Sequence, residues 1–388
     1  MKNFVLSMPT TILFGKGQME KLGGEIKKYG SRVLLVYGGG SIKKSGLYDK
    51  VIGALKDNGI FFKELSGVQP NPRISSVRAG AALCREHQLD FVLAVGGGSI
   101  IDCSKVIAAA VFYDGDPWDF CLRKAPVTQA LPLGTILTLA ATGSEMNNGA
   151  VISNEETEEK LPVMHPAMTP RFSILDPENT FSVPASQTAA GTADIYSHVL
   201  EQYFGSVRSA FVTDAMSEAI LATCIQYGPV AVAQPENYEA RANLMWAGTI
   251  GLNGLLNRGK TPGDWATHMI EHEVSALYDL THGVGLAIIT PHWMQHVLSE
   301  DNVALFARYA RNVWKVEAAS DWEAAKAGIE KTRGFFTSLG IPGKLEQVGI
   351  DGSRLEEMAE KAVRFGPLGD LKKLEKEDVL AILQASLR

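Results

Sequence analysis

The stretch Asp90 to Ser99, DFVLAVGGGS, decides the fold. Asp90 to Val95 is an apolar run too short for a helix and without polar alternation, as a strand buried on both faces must be. It breaks at Gly96-Gly97-Gly98, and Ile100 to Phe112 then has helical texture. Glycines at such a junction let a phosphate approach the backbone, and the N–H groups opening a helix favour an anion. Ser99 is read as the cap of that helix, with a hydroxyl that can also serve a ligand. A single glycine-rich turn is unspecific, and this one is not GxGxxG.

The same pattern recurs on both sides. Arg32 to Tyr37 (RVLLVY) is an apolar run ending in Gly38-Gly39-Gly40-Ser41. Leu47 to Asp57 has helical spacing, Phe61 to Leu65 reads as a strand, and Gln69-Pro70-Asn71-Pro72 breaks the chain. Ser75 to His87 reads as a helix, and Leu131 to Leu137 as a strand running into Thr138 to Glu145 (TLAATGSE). Phe4 to Phe14 alternates enough for an edge strand or hairpin. Strands alternating with helices predict a parallel sheet covered on both faces. Three junctions rich in glycine and hydroxyls, with Thr138, Thr142 and Ser144 in the third, outline a ligand crevice at the strands' carboxyl ends.

From about Pro184 the texture becomes helical. Ala185 to Gly205, Ala210 to Gln226, Tyr238 to Leu256, Asp264 to Leu277, Val303 to Val313, Asp321 to Leu339 and the tail from Asp351 to Leu387 carry helical spacing. Pro229, Pro235, Pro262, Pro291 and Pro342 are read as punctuation between helices. The expectation is therefore an α/β dinucleotide-binding domain over residues 1–183, Rossmann-like with a parallel sheet, and an all-α domain over 184–388.

Composition excludes several classes. The chain has 388 residues, enough for two cores, and is 46% hydrophobic and 21% charged. A net charge of −6 leaves no basic footprint for nucleic acid. The four cysteines form no CxxC pair, which fits free thiols in a reducing compartment. No apolar stretch approaches the roughly 20 residues that span a bilayer. The protein is read as cytosolic.

The histidines point to the chemistry. Six of eight lie after position 190, and five lie between His268 and His296. Asp194 and His198 are spaced i,i+4, and so are His268 and His272, which puts each pair on one helix face. His282 follows within the same region. A carboxylate and neutral imidazoles suit Zn²⁺ or Fe²⁺. His292, His296, His87 and His165 are read as surface or packing histidines.

Together GGGSIIDCSK (Gly96 to Lys105), TLAATGSE (Thr138 to Glu145), DIYSH (Asp194 to His198) and HMIEHEVSALYDLTHG (His268 to Gly283) resemble the iron-containing (group III) alcohol dehydrogenases, closest to their butanol dehydrogenase and aldehyde reductase branch. The resemblance covers nearly the whole chain and implies the two-domain architecture shared with dehydroquinate synthase. It implies metal on Asp194, His198, His268 and His282, with His272 lining the site. It implies coenzyme phosphates over Gly97, Gly98 and Ser99. Asp102, Thr138, Thr142, Ser144 and Lys160 fall towards the ribose and nicotinamide, and Asn71 towards the adenine.

NAD-preferring relatives often carry an Asp just after the first strand. Here Gly38, Gly39, Gly40 and Ser41 stand instead, removing a carboxylate that repels a 2′-phosphate, with Ser41, Lys43 and Lys44 placed to receive one. The branch resembled implies NADP(H), with NAD(H) as the alternative, and one divalent metal, Fe²⁺ or Zn²⁺.

The expected activity is hydride transfer between NAD(P)H and a small aliphatic aldehyde or primary alcohol, with the metal as Lewis acid and His272 as proton relay or orienting partner. Met146, Trp246, Leu252, Leu256 and Trp265 are candidates for an apolar wall, and Asn147 and Asn148 keep polar substrates open. A polyol or lactaldehyde dehydrogenase is the nearest alternative. A dehydroquinate synthase-like lyase needs cations for a phosphorylated, carboxylated substrate, and the region offers only Arg208, Arg241, Arg258 and Lys260. A metal hydrolase leaves the glycine junctions unexplained, and a structural zinc protein of this size needs no metal staple. The resemblance also implies a homodimer formed through Phe4 to Phe14.

Overall fold

A computed structural model of the chain describes residues 1–207 and 209–388. The chain divides into two compact units. One comprises Ser7–Pro184 with Pro235–Thr249, the other Met1–Leu6, Ala185–Gln234 and Ile250–Arg388.

The first unit is α/β. Its strands are β1 (Thr11–Phe14), β2 (Arg32–Tyr37), β3 (Phe61–Leu65), β4 (Phe91–Gly96), β5 (Leu133–Leu137), β6 (Gly149–Asn154), β7 (Glu159–Met164) and β8 (Phe172–Leu175). Its helices are α1 (Leu22–Lys27), α2 (Ser41–Lys44), α3 (Leu47–Asp57), α4 (Ile74–Glu86), α5 (Gly98–Ala110) and α6 (Trp118–Cys121), joined by most of the later helix Tyr238–Gly251. Six strands form a parallel sheet in the order β1-β8-β5-β4-β2-β3, and β6 and β7 form an antiparallel hairpin.

Alternation along the strands feeds two cores. Val33, Leu35 and Tyr37 of β2 and Phe91, Leu93 and Val95 of β4 pack under α1 and α3. Leu34, Val36, Val92 and Ala94 pack on the other face, against α4 and α5. Burial on both faces explains why these strands read as unbroken apolar runs.

Topology places a crevice. From β2 the chain crosses through α3 to β3, and from β4 it crosses through α5 to β5, in the opposite direction. Neighbouring strands whose connections diverge leave a cleft at their carboxyl ends. Gly38 to Gly40 and Gly96 to Gly98 stand at those two ends.

Several sequence readings are corrected. Of Phe4 to Phe14 only Thr11–Phe14 is strand; Pro9 lacks the N–H a ladder needs. Ser99 does not cap α5. Gly97 holds that position in extended backbone, with no side-chain cap, and Ser99 lies inside the first turn. The β6–β7 hairpin and β8 went unread.

The second unit is helical: α7 (Ala185–Tyr203), α8 (Phe211–Ala233), the end of α9 (Tyr238–Gly251), α10 (Ala266–Tyr278), α11 (His282–Val297), α12 (Val303–Trp314), α13 (Asp321–Ser338), α14 (Leu355–Ala362) and α15 (Lys376–Leu387). Pro229 and Pro291 lie inside α8 and α11. Each forfeits one N–H bond, and at α11 the surrounding burial of Leu286 to Met294 holds the helix together. Nearly all of α7 from Thr188 onward is buried, and it packs against α8 and α11. No described helix is long and apolar enough to cross a membrane.

Candidate metal centre and coenzyme crevice

The metal candidates all lie in the helical unit. α7 presents Asp194, His198 and Glu201 at helical spacing; α10 presents His268, Glu271 and His272; His282 opens α11. One approach makes this possible. A Cβ on Gly283 would overlap the carbonyl of Ala190, so only glycine lets the start of α11 meet α7. A Cβ on Gly285 would come within 2.7 Å of Glu271, so this glycine leaves room for that carboxylate.

Three imidazoles converge on one carboxylate oxygen. His198 Nδ1, His282 Nε2 and His268 Nε2 lie 3.5, 3.7 and 4.0 Å from Asp194 Oδ1. Donor atoms of Asp194, His268 and His282 fall within 4.8 Å of one another. The His198 ring stacks on His268 with centroids 4.6 Å apart. His198 Nδ1 and His268 Nε2 are buried and have no hydrogen-bond partner among the described residues. Buried nitrogens facing a carboxylate across a gap wider than a hydrogen bond are what a cation between them requires. The residues present therefore fit a divalent metal.

Behind this set stand two carboxylates that the sequence reading missed. Glu201 binds Nδ1 of His268 and Glu271 binds Nδ1 of His282, which leaves each Nε2 turned inward as acceptor. Glu201 also accepts from the Thr267 N–H at 2.7 Å, and Glu271 from the Ser275 hydroxyl. The signal was faint: Glu201 lies three residues past His198 and Glu271 three past His268, and acids on helices are common. Glu271, His272 and His282 form a second donor group. Trp265 sets its ring 5.1 Å from His268. Burial, then repulsion by His268 and His282, holds the His198 imidazole well below its usual pKa, in the neutral form a metal ligand needs. Burial would lower His268 too, but the Glu201 carboxylate outweighs it and raises the pKa.

Other histidines serve packing or surface contacts. His292 accepts from Arg333, His296 contacts Asp378, and His165 caps a short turn by accepting from Ala167 N–H. Trp246, 42% exposed, packs edge-on to Phe14. Leu256 is core, and Met146 and Leu252 are half-buried. Lys260 binds Asp214 and the Tyr203 carbonyl, and Arg241 binds the Pro235 carbonyl. Arg208 lies outside the described residues.

All the coenzyme candidates lie in the α/β unit. Gly98 is where α5 meets the third junction: a Cβ there would overlap Thr142. Thr138 N–H bonds the Gly96 carbonyl at 3.1 Å, and Thr142 Oγ1 accepts from Ser144 N–H at 3.2 Å. Asn71 is buried with φ 51°. Asp102 is tied inward: Oδ1 accepts from Ser144 Oγ at 2.6 Å and Oδ2 from Val151 N–H at 2.8 Å. Burial raises the Asp102 pKa against the lowering effect of Lys105, of its two hydrogen bonds and, least, of Lys160, which is buried on β7.

Lys105 closes the GGGSIIDCSK motif, and the sequence alone assigns it no role. It is fully buried, and donates to Ser144 Oγ, Asn147 Oδ1 and the Gly149 carbonyl at 2.7–2.8 Å. Burial pulls its pKa down to about 8 against the raising effect of Asp102 and Glu145. It joins α5, the third junction and β6 in one polar knot. Asn147, and with it one of the polar candidates for substrate, is part of that knot.

Comparison with known proteins agrees. The profile for "Iron-containing alcohol dehydrogenase" matches residues 9–177, and that for "Fe-containing alcohol dehydrogenase family, C-terminal" matches residues 188–387. The chain is 56% identical over 389 residues to NADH-dependent butanol dehydrogenase A of Clostridium acetobutylicum, covering 100% of both. It is 43% identical to the NADPH-dependent aldehyde reductase YqhD of Escherichia coli, covering 94% of both. The crystal structure of an NADH-dependent butanol dehydrogenase A from Thermotoga maritima matches with a TM-score of 0.96 at 40% identity, over 100% of this chain and 99% of that one. The chain thus belongs to the iron-containing alcohol dehydrogenase family and is an oxidoreductase of the alcohol dehydrogenase and aldehyde reductase kind.

Proposed function

We propose that the protein reduces small aliphatic aldehydes to primary alcohols, and runs the reverse reaction, with NADP(H) as preferred coenzyme and NAD(H) as alternative. The observation that carries the reading is the convergence of His198, His268 and His282 on Asp194, with Glu201 and Glu271 behind two of the rings. The relatives' names supply the substrate class: butanol for one, aldehydes for another.

Asp194, His198, His268 and His282 would hold one divalent metal, Fe²⁺ or Zn²⁺. Bound there, it supplies Lewis acidity towards a carbonyl or alkoxide oxygen, and NAD(P)H supplies the hydride. The chain's own part is to keep the donors fixed. Glu201 and Glu271 retain the protons on Nδ1 of His268 and His282. Trp265 shields one side of His268. His272, with its ring 5.5 Å from His282, is the residue we assign to moving a proton to or from the substrate oxygen.

In this reading residues 1–183 bind the dinucleotide and 184–388 carry the metal. Gly97, Gly98 and Ser99 take the diphosphate at the start of α5; Asp102, Thr138, Thr142, Ser144 and Lys160 lie at the ribose and nicotinamide end, Asp102 and Ser144 bonded to each other there; Gly38 to Ser41 and Asn71 lie towards the adenosine. NADP(H) is favoured because Gly38 stands where a carboxylate would repel a 2′-phosphate, followed by Ser41 and Lys44. We also propose a homodimer through the N-terminal segment, where Phe4 is 50% and Val5 83% exposed. The test is aldehyde-dependent oxidation of NADPH and NADH by metal-loaded protein, with metal-free protein and His268→Ala inactive.

A further inference from the structure

The rim of the crevice carries a cluster that the binding scheme above leaves unused. Tyr37 ends β2 and Tyr48 lies on α3; their rings meet edge to face at 5.7 Å. Both hydroxyls donate to Glu64 of β3, Tyr37 to Oε2 at 2.6 Å and Tyr48 to Oε1 at 3.0 Å. Lys43, in α2 just past the three glycines, sets its ammonium 4.8 Å from the Tyr48 ring centroid and 5.4 Å from that of Tyr37. A cation within about 6 Å of a ring face is attracted to it. Lys43 is thus engaged by two rings, and a carboxylate fixes both rings through their hydroxyls.

We propose that Tyr48 and Glu64 tune the choice between NADPH and NADH by holding Lys43 on the tyrosine rings, withheld from a 2′-phosphate at Gly38 to Ser41. The inference rests on the crevice binding a dinucleotide. A 2′-phosphate gains from cations free to turn towards it, and Glu64 balances the charge of Lys43 held on the rings. Lys43 has a long flexible stem, so loss of the ring shelf frees its ammonium to reach the phosphate. Tyr37 stays a donor, because burial and then Glu64 push its hydroxyl up to about 12.

Coenzyme fragments test this without any redox step. Calorimetry would measure 2′,5′-ADP and 5′-AMP binding to the wild type, Tyr48→Leu, Glu64→Gln and the double variant Lys43→Met/Tyr48→Leu. The expected result is a gain of about fivefold in 2′,5′-ADP affinity for Tyr48→Leu, the size of one exposed ion pair, with 5′-AMP unchanged. The gain should shrink at high salt and vanish in the double variant. Glu64→Gln, on an exposed side chain, should shift affinity the same way and serves if Tyr48→Leu misfolds. The inference is overturned if neither single variant favours 2′,5′-ADP, or if the gain persists without Lys43. Failure of the wild type to bind 5′-AMP at all would instead refute the crevice reading itself.

Discussion

Glu271 holds Nδ1 of His282 across the turn that joins α10 to α11, eleven residues along the chain. Its counterpart Glu201 holds Nδ1 of His268. Both carboxylates are buried, and each fixes which nitrogen of its histidine faces Asp194. Replacing Glu271 or Glu201 by Gln should therefore weaken metal affinity about 10–100-fold while leaving the four proposed ligands in place. Competition with a chelator, followed by metal analysis, reads this directly. Affinity equal to wild type would mean the carboxylates serve packing alone.

The contact of Gly283 with α7 makes a second prediction. Gly283→Ala must push α11 away from Ala190 and carry His282 with it. Overpacking of this kind costs about 1–3 kcal/mol, and metal retention should fall with it. Gly334→Ala is the control, since it lies inside α13 with nothing among the described residues within 4 Å of a new Cβ. That change should stabilise by about 0.5–1 kcal/mol. Thermal unfolding and metal content of the two variants separate backbone fit from a general effect of adding a methyl.

Lys105 yields a pH prediction. Its folded pKa of about 8 lies below the unfolded value near 10.5, so between these limits the unfolded chain holds more proton. The burial penalty is present in full below pH 8 and relieved as pH rises towards 10.5. Stability of the wild type relative to Lys105→Met should accordingly rise by about 1–2 kcal/mol between pH 8 and 10. At pH 7 the variant should still be the less stable, by about 2–4 kcal/mol, because Ser144, Asn147 and the Gly149 carbonyl lose their donor. Urea unfolding at three pH values tests both; a difference that does not change with pH contradicts the assignment.

Some of this was legible in the sequence because local pattern and tertiary role coincide. Arg32–Tyr37, Leu47–Asp57 and Phe61–Leu65 have the bounds the sequence announces, since a strand buried on both faces, a half-exposed edge strand and an amphipathic helix each carry their environment in their composition. Asp194 and His198, and His268 and His272, announced themselves by i,i+4 spacing. What stayed hidden depends on partners distant in sequence. Gly283, Gly285 and Pro291 look like helix breakers, yet they belong to α11, where glycine is dictated by Ala190 and Glu271. Glu201 and Glu271 look like ordinary helix acids until the histidines face them. Lys105 looks like a helix-surface lysine, and only the fold reveals that all three of its donors point into protein.

On the proposed function, Asp194, His198, His268 and His282 would hold the metal that makes aldehyde reduction possible. Metal-free protein reconstituted separately with Fe²⁺ and Zn²⁺, and assayed for butyraldehyde-dependent oxidation of NADPH and NADH beside His268→Ala, tests it most directly. Turnover should return with metal and be absent from the variant. Equal turnover without metal, or with His268 replaced, would contradict it.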